Sequence, residues 1–386
     1  MQSKLRSLEI AQSLPKEKGL MNMRAFKYLC PLIAYVGAFI SFTSKGWLCF
    51  LPLIVTWILL PVLELIIKPD VKNLSAVEEQ VAKQSRIYDY LTYMMVVLQL
   101  PTLFFYLHSM QDQTLSFMDK IGRVGSMGLF CGTSGIAVGH ELGHRLKKFE
   151  KILAKLSLLT SLYMHYLIEH IKGHHKIVAT YDDPSSARYG ENLYRFWLRS
   201  FVYSYHSAWG ISNGELRKKG LSPWTIKNEM VQFQIIQVLF VSAILLIFGL
   251  YITGYFIAAA LIGIFLFQSV SYIEHYGLTR KAGSEGGYER VMPEHSWDSD
   301  HLLGRLLLFD APRHSDHHYL ASRKYQILRH HDNAPQMPTG YPGMILLALV
   351  PPAWFRIMNK KIKMAEQRPV VDRKVQSSIS LLYHSN

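Results

Sequence analysis

Residues 253–278 read TGYFIAAALIGIFLFQSVSYIEHYGL, an apolar run that ends in a glutamate and a histidine. No charged residue occurs between 253 and 272, and about 20 mainly apolar residues suffice to cross a membrane as a helix. The stretch therefore predicts a membrane-spanning helix that carries ionisable side chains at one end.

Five further stretches have the same apolar character. They are residues 28–44, 47–67, 89–108, 121–139 and 232–250. Six spans would use about 120 residues, in keeping with 49% apolar and only 18% charged residues, where soluble domains carry about 25% charged residues. The sequence thus predicts an all-α integral membrane protein with about six transmembrane helices and a cytoplasmic helical cap. Three cysteines in 386 residues exclude a disulfide scaffold.

The distribution of charge predicts the topology of these spans. The chain has 42 basic and 28 acidic residues, so 42 − 28 gives a net charge of +14. The basic residues concentrate in segments that the positive-inside rule assigns to the cytoplasm, which places both termini there. The predicted units are a basic N-terminal arm, spans one to four, a cytoplasmic segment, spans five and six, and a cytoplasmic C-terminal segment, at 1–27, 28–139, 140–231, 232–274 and 275–386.

Two further features concern the membrane. Residues 341–358 are apolar but contain Pro351-Pro352, so we expect this stretch to lie at the interface rather than cross. Glu64, near the end of the second span, is either a functional intramembrane carboxylate or the partner of Lys68 in an ion pair.

Nine of the 17 histidines fall into four clusters, each at the cytoplasmic end of a span or in a cytoplasmic segment. The clusters are HELGH at 140–144, EHIKGHH at 169–175, EHYGL at 274–278 and RHSDHH at 313–318. Histidines four residues apart lie on one face of a helix, so the first, second and fourth clusters each present such a pair. Histidine is a common metal ligand, and nine of them are enough for two metal ions.

Several kinds of site were weighed against this pattern. HELGH has the spacing of a zinc-protease helix, but a catalytic zinc takes three protein ligands, which leaves the other clusters unexplained. A carboxylate-bridged di-iron bundle fits poorly because the clusters hold few carboxylates. A lone boundary histidine is usually an interfacial polar residue, a reading that does not suit four clusters. A histidine-rich pair of iron ions fits better.

The four clusters resemble the histidine boxes of the integral-membrane alkane 1-monooxygenase family, the alkane hydroxylases, within the membrane desaturase and hydroxylase superfamily. The family patterns H-E-L-x-H-K/R, E-H-x-x-G-H-H, N-Y-x-E-H-Y-G-L and R-H-S-D-H-H are matched at 140–145, 169–175, 271–278 and 313–318. This sequence departs from them at Ser271, where the family has Asn, and at Ala311-Pro312, where it has Leu-Gln. The usual His-Ser-Trp-Asn also ends in Asp298 here. None of these departures removes a box histidine.

The resemblance implies that the nine box histidines hold two non-heme iron ions. These are His140, His144, His170, His174, His175, His275, His314, His317 and His318. Four carboxylates adjacent to them are candidates for hydrogen bonds to ligand imidazoles, namely Glu141, Glu169, Glu274 and Asp316. Asp182 and Asp183 precede a proline and are expected to serve mainly in a turn. Trp57, Leu98 and Phe104 are candidates for the wall of a substrate channel.

The same resemblance implies O₂-dependent hydroxylation of the terminal methyl group of medium- to long-chain n-alkanes to 1-alkanols. The chain contains no flavin, nicotinamide or Cys-x-x-Cys motif, so two electrons are expected from a rubredoxin-type carrier and its NAD(P)H-dependent reductase. We expect a bacterial cytoplasmic (inner) membrane location, contact with membrane lipids, and no nucleic-acid partner.

Other functions remain open at this stage. Within the superfamily the alternatives are a xylene-type methyl hydroxylase and a fatty-acid desaturase or hydroxylase. A metal transporter or sensor is the alternative outside enzymology, but it would place histidines or carboxylates along a path through the membrane. Here the clusters lie on one side.

Overall fold

The computed structural model describes residue 19, residues 22–283 and residues 287–366. Most of the predicted N-terminal arm and the end of the predicted C-terminal segment lie outside these residues. The described residues contain no β-sheet, only the isolated bridges Ala282–Tyr288 and Asp298–Gln336. The prediction of an all-α protein is confirmed.

Five helices are long and apolar enough to cross a membrane. They are Asn22–Thr43, Gly46–Ile66, Ile87–Ser109, Glu229–Phe248 and Leu250–His275. Their outward side chains are apolar, as expected for surfaces that face lipid; Leu246, for example, is 86% exposed. These helices correspond to five of the six predicted spans.

The sixth predicted span, residues 121–139, is helical and lies inside the bundle. It combines Phe117–Phe130, a π-helical segment Cys131–Ile136 and Ala137–Gly143. Glycine and serine lower its hydropathy, and they let its neighbours approach closely. A Cβ atom added at Gly263 of the last apolar helix would lie 2.9 Å from the backbone nitrogen of Gly132.

The two ends of the bundle differ in size. At one end the helices are joined by short links, and the buried Arg123 donates to the backbone oxygens of Ser44 and Ser109 at 2.8 and 2.7 Å. At the other end lies a cap of shorter helices and loops, of which Leu193–Arg217 is the longest helix. The first, second and fourth histidine clusters belong to this capped end or to its border with the bundle, and the third ends the helix Leu250–His275 there.

Glu64 joins the second span to the cap. Its side chain is buried and accepts a hydrogen bond from the backbone nitrogen of Gly304 at 2.8 Å. A Cβ atom on Gly340 would collide with the same carboxylate. The ion pair with Lys68, one of the two expected roles, does not form, because Glu64 turns toward the cap instead.

Residues 341–358 do not form one straight helix. Tyr341–Ala348 and Pro351–Glu366 are separate helices that bend against each other by 120°. Proline at 351 and 352 disfavours continuation of the preceding helix, because proline lacks a backbone N–H and clashes with the previous turn. The bend returns the chain to the cap.

The close helix crossing at Gly263 can be tested by adding one methyl group. Gly263→Ala should destabilise the folded protein by about 1–3 kcal/mol, since the new atom meets backbone that has to move. Thermal unfolding in detergent would measure the change. Gly254→Ala, on the same helix with no atom within 4 Å of the added Cβ, is the matched control. Equal melting temperatures for the two variants would contradict the packing described above.

Candidate metal centre

The structure brings the nine box histidines into two groups. In each group the candidate ligand atoms all lie within 4.8 Å of one another. The group of five consists of His140, His144, His170, His175 and His317, and the group of four consists of His174, His275, His314 and His318. No box histidine is left out.

Adjacent histidines serve different groups. His174 and His175 are neighbours in sequence but belong to the group of four and the group of five, respectively, and His317 and His318 divide in the opposite order. Successive side chains on a helix point about 100° apart, so a His-His pair can reach two points at once. The rings of His175 and His318 stack at 4.4 Å, which places the two groups side by side.

The second cluster differs from the expected i, i+4 pairing. His170 and His174 fall into separate groups, whereas His170 and His175 share one. The cause is the π-helical segment Glu169–His174, in which a turn takes more residues than in an α-helix. The wide turn brings residues five apart onto one side. In the first cluster, which is α-helical over Ala137–Gly143, the expected pair His140 and His144 does share a group.

Within each group the ring nitrogens converge at a spacing that suits a metal ion. The Nε2 atom of His317 lies 3.0 Å from that of His140 and 3.1 Å from that of His175. In the other group, Nε2 of His314 lies 3.1 Å from that of His275 and 3.0 Å from that of His318. Two imidazole nitrogens bound at about 2.1 Å to one ion, at right angles, would be about 3.0 Å apart. Without an ion, such converging lone pairs would repel.

The protonation states in the cap also suit metal binding, which requires neutral imidazoles. Burial and then the surrounding imidazoles lower the pKa of His170, His175 and His314 well below its usual value. Burial, followed by the charge of His174, lowers the pKa of His317 to about 3. These rings are therefore uncharged at neutral pH and offer a lone pair.

His174 is the exception, and its partner is a carboxylate that we did not expect in this role. Its Nδ1 lies 2.8 Å from Oδ2 of the buried Asp183. Burial alone would lower the pKa of His174, but Asp183 raises it. Asp183 also forms the expected turn, because its Oδ1 accepts from the backbone nitrogen of Ser185 at 3.0 Å. A carboxylate behind a ligand imidazole orients the ring and makes it more basic.

The four carboxylates predicted to support the ligands divide into two kinds. Glu274 faces the group of four: its Oε2 lies 3.2 Å from Nε2 of His314, and its Oε1 accepts from the hydroxyl of Tyr341 at 2.6 Å. Glu169 is buried near Asp183 and accepts from Ser185 at 3.3 Å; burial and then Asp183 raise its pKa to about 8.

The other two carboxylates hold the cap together. Glu141 accepts from Arg145 at 2.7 Å. Asp316 accepts from Arg323 at 2.6 Å and lies 2.7 Å from Nε2 of His331, which is not a box histidine. Neither carboxylate contacts a ligand ring in the hydrogen bonds found among the described residues.

A largely apolar cavity adjoins both histidine groups. It has about 1270 Å³ of empty space including its open mouth, and four box histidines, His140, His170, His174 and His314, line it. The apolar part of its wall comes mainly from the spans, the 304–311 segment and the start of the C-terminal helix pair, with Pro31, Met95, Leu129, Phe130, Leu266, Phe267, Leu308 and Ile345.

Of the three predicted channel residues, Trp57 lines this cavity, and Leu98 and Phe104 do not. Met95 is the residue of the third span that does. Phe104 comes nine residues later, about 180° around the helix, and it is 59% exposed with its ring against Phe248 at 5.7 Å. The prediction for Phe104 was therefore wrong in direction, because the sequence alone did not show which face of this apolar helix is turned inward.

Three π-helical segments contribute to the cavity and its metal end. They are Val55–Leu59 with Trp57, Cys131–Ile136 with Thr133 and Ser134, and Glu169–His174 with two box histidines. Such segments often mark functional sites because they redirect side chains locally. No sequence signal predicted them.

Comparisons with known proteins agree with this architecture. Residues 124–348 match the fatty acid desaturase family. The chain is 40% identical to an alkane 1-monooxygenase of Acinetobacter baylyi over 80% of its length and 76% of that protein. It is 35% identical to alkane 1-monooxygenase 2 of Alcanivorax borkumensis over 89% and 92% of the two chains. A xylene/toluene monooxygenase hydroxylase component, XylM of Pseudomonas putida, is a more distant relative at 27% over 64% and 66%.

The role of Asp183 can be tested without enzyme turnover. Asp183→Asn keeps the shape of the side chain but removes its charge, so affinity for the metal of the four-histidine group should fall roughly 10- to 100-fold. Competition with a chelator, followed by metal analysis, would measure this loss. Asp182→Asn, at the exposed neighbouring position, should behave like the wild type. Indistinguishable affinities in the two variants would show that Asp183 does not support His174.

Proposed function

The chain belongs to the alkane 1-monooxygenase family, and on this premise we propose that it hydroxylates the terminal methyl group of medium- to long-chain n-alkanes at two non-heme iron ions. The observation that supports the proposal most directly is the junction of two imidazole groups with one apolar cavity. The cofactors would be the two iron ions, and O₂ would be the co-substrate.

The donor set suits iron chemically. Nine imidazoles, with the Glu274 carboxylate beside one group, suit iron, copper or zinc, and of these iron serves the O₂ chemistry of this family. The group of five and the group of four would each hold one ion. Bound iron would supply the activation of O₂, and the net reaction converts an alkane, O₂, two electrons and two protons into an alcohol and water.

The protein itself positions the substrate. A straight-chain alkane has no polar group to bind, so the shape of the cavity and its apolar walls have to select it. Leu129, Phe130, Leu266 and Phe267 provide such walls, and the histidines line the same space. A chain held in this cavity would present carbon to the metal end and exclude water from it, which suppresses side reactions.

Electrons have to come from another protein. Cys49 and Cys131 are buried within the bundle and Cys30 is half-buried, and none is bonded to another cysteine. We propose a rubredoxin-type carrier and its NAD(P)H-dependent reductase as the source. The net charge of +14 would favour an acidic partner through electrostatic steering.

We also propose a place and an orientation: the bacterial inner membrane, with both termini in the cytoplasm. The capped end carries the long basic segments, for example the one that begins at Arg145, Lys147 and Lys148, whereas the opposite end has short links. The positive-inside rule then assigns the cap, and the metal centre with it, to the cytoplasmic side.

The proposed reaction predicts a defined product pattern. Purified protein, supplied with rubredoxin, its reductase, NADH and O₂, should convert n-alkanes to 1-alkanols and should contain two iron ions per chain. A series of n-alkanes, xylene and an acyl substrate should be offered, with products identified by mass spectrometry. Unsaturated acyl products alone would instead identify a desaturase, and a single zinc without iron would contradict the di-iron site.

Trp57 should limit the length of the alkane. Trp57→Ala removes the bulkiest side chain of the cavity wall, so the ratio of long to short alkanes hydroxylated should rise about tenfold, the order of magnitude that one methylene carries in an apolar pocket. Competition assays with mixed alkanes would measure this ratio. Trp47→Ala, at a 67% exposed position of the same helix, is the control and should leave the ratio unchanged. A similar shift in both variants would show a general loosening of the bundle.

A further inference from the structure

A row of aromatic rings leads from the metal centre to the surface. It starts at the box histidine His170 and ends at Trp224, which is 81% exposed. Each ring lies next to the following one. The centroid separations are 4.8 Å for His170–Tyr166, 5.3 Å for Tyr166–Tyr163, 4.7 Å for Tyr163–His165, 5.1 Å for His165–Tyr205, 6.5 Å for Tyr205–Trp209 and 5.8 Å for Trp209–Trp224.

Local structure accounts for this alignment. Tyr166 and His170 are four residues apart and stack with their ring planes at 23°. Tyr205 and Trp209 are likewise four residues apart on the helix Leu193–Arg217, and such pairs lie on one face. The inner tyrosines are buried, the next two rings are half-buried, and Trp224 is in the loop before the helix Glu229–Phe248.

His165 is a buried histidine that neither metal group uses. Its ring lies edge-on to both Tyr163 and Tyr205. Burial lowers its pKa to about 4, so the ring is neutral, and its Nε2 atom has no hydrogen-bond partner among the described residues. A neutral imidazole between two phenols is suited to take up a proton from either of them.

We propose that Tyr166, Tyr163, Tyr205, Trp209 and Trp224 form a relay that carries oxidising equivalents from the metal centre to the surface when no substrate is bound. This inference rests on the proposed O₂ chemistry at that centre. We name these five residues the aromatic relay. Its function would be to protect the histidine ligands from oxidation during turnover without alkane.

The direction of transfer follows from the chemistry of the side chains. Tyrosine and tryptophan give up an electron only to a strong oxidant, so the relay cannot pass electrons inward from a low-potential carrier. Tunnelling weakens steeply with distance, and transfer through closely spaced rings is therefore faster than one long step. The relay would conduct only when the centre is oxidised and has no alkane to attack.

The electrons and protons balance if a cytosolic thiol restores the outermost ring. Each oxidising equivalent removes one electron and one proton from a relay residue, and the vacancy moves outward to Trp224. A thiol then returns one electron and one proton, and two thiols join as a disulfide. One O₂ thus takes two electrons from the carrier, two electrons and two protons from two thiols, and two further protons, to give two water molecules.

The first experiment maps oxidation in the complete system. The protein is incubated with carrier, reductase, NADH and O₂, with catalase but without alkane or thiol, and modified residues are identified by peptide mass spectrometry. We expect oxygen addition at Trp224 well above that at Trp47, which is 67% exposed but has no ring connection to the centre among the described residues. Trp209→Phe keeps a ring but removes an oxidisable side chain, and should lower modification of Trp224 to the level at Trp47.

Two results of this experiment would overturn the relay. Equal oxidation of Trp47 and Trp224 would indicate a diffusing oxidant, and unchanged oxidation of Trp224 in Trp209→Phe would remove the path through position 209. Added alkane should suppress the modification, and added thiol should prevent it while disulfide accumulates. Trp209→Phe should form alcohol at the wild-type rate in the first minutes, so a failure of the relay is distinguishable from the absence of hydroxylation.

A second experiment needs no metal. Lys227→Cys, at an exposed position near Trp224, allows attachment of a photo-oxidant to the metal-free protein. After a flash, electron paramagnetic resonance should show a tryptophan radical that passes to tyrosine. In Lys227→Cys combined with Trp209→Phe the radical should remain on tryptophan. Transfer to tyrosine at equal yield in both proteins would contradict the proposed order of rings.

Discussion

The rest of the structure depends on one constraint, the burial of nine uncharged imidazoles whose lone pairs converge on two points. Buried polar atoms without partners are costly, and nitrogens 3.0 Å apart with no proton between them repel. Two cations would relieve both problems at once. The histidines therefore have to be held rigidly from behind, and this is the role of the cap, with Asp183 behind His174 and Tyr341 holding Glu274.

The membrane bundle serves the same constraint from the other side. Glycines such as Gly128 and Gly263 let the central helix and the last apolar helix cross closely, which fixes the two helix ends that carry His140 and His275. Between the helices remains an apolar cavity that meets the histidines. A substrate dissolved in lipid can thus approach the centre without passing through water, which fits the family to which the chain belongs.

The aromatic relay, if it acts as proposed, uses the same rigidity for protection. An oxygen-activating centre that is closed to water has few harmless reaction partners when its substrate is missing. Tyr166 stacks on the ligand His170, so an oxidising equivalent would meet an oxidisable ring before it escapes at random. The neutral His165 would support this transfer as a proton acceptor.

The sequence by itself determined the helical membrane class, the identity of all nine clustered histidines and the family, because apolar length and side-chain spacing are local properties of the chain. It did not determine the division of the histidines into five and four, which depends on the π-helical turn at Glu169–His174. Nor did it select Asp183 over Glu141 as a partner of a ligand, or show that Phe104 faces outward. These outcomes depend on how distant segments pack and on which face of an apolar helix is turned inward, and only the tertiary structure decides them.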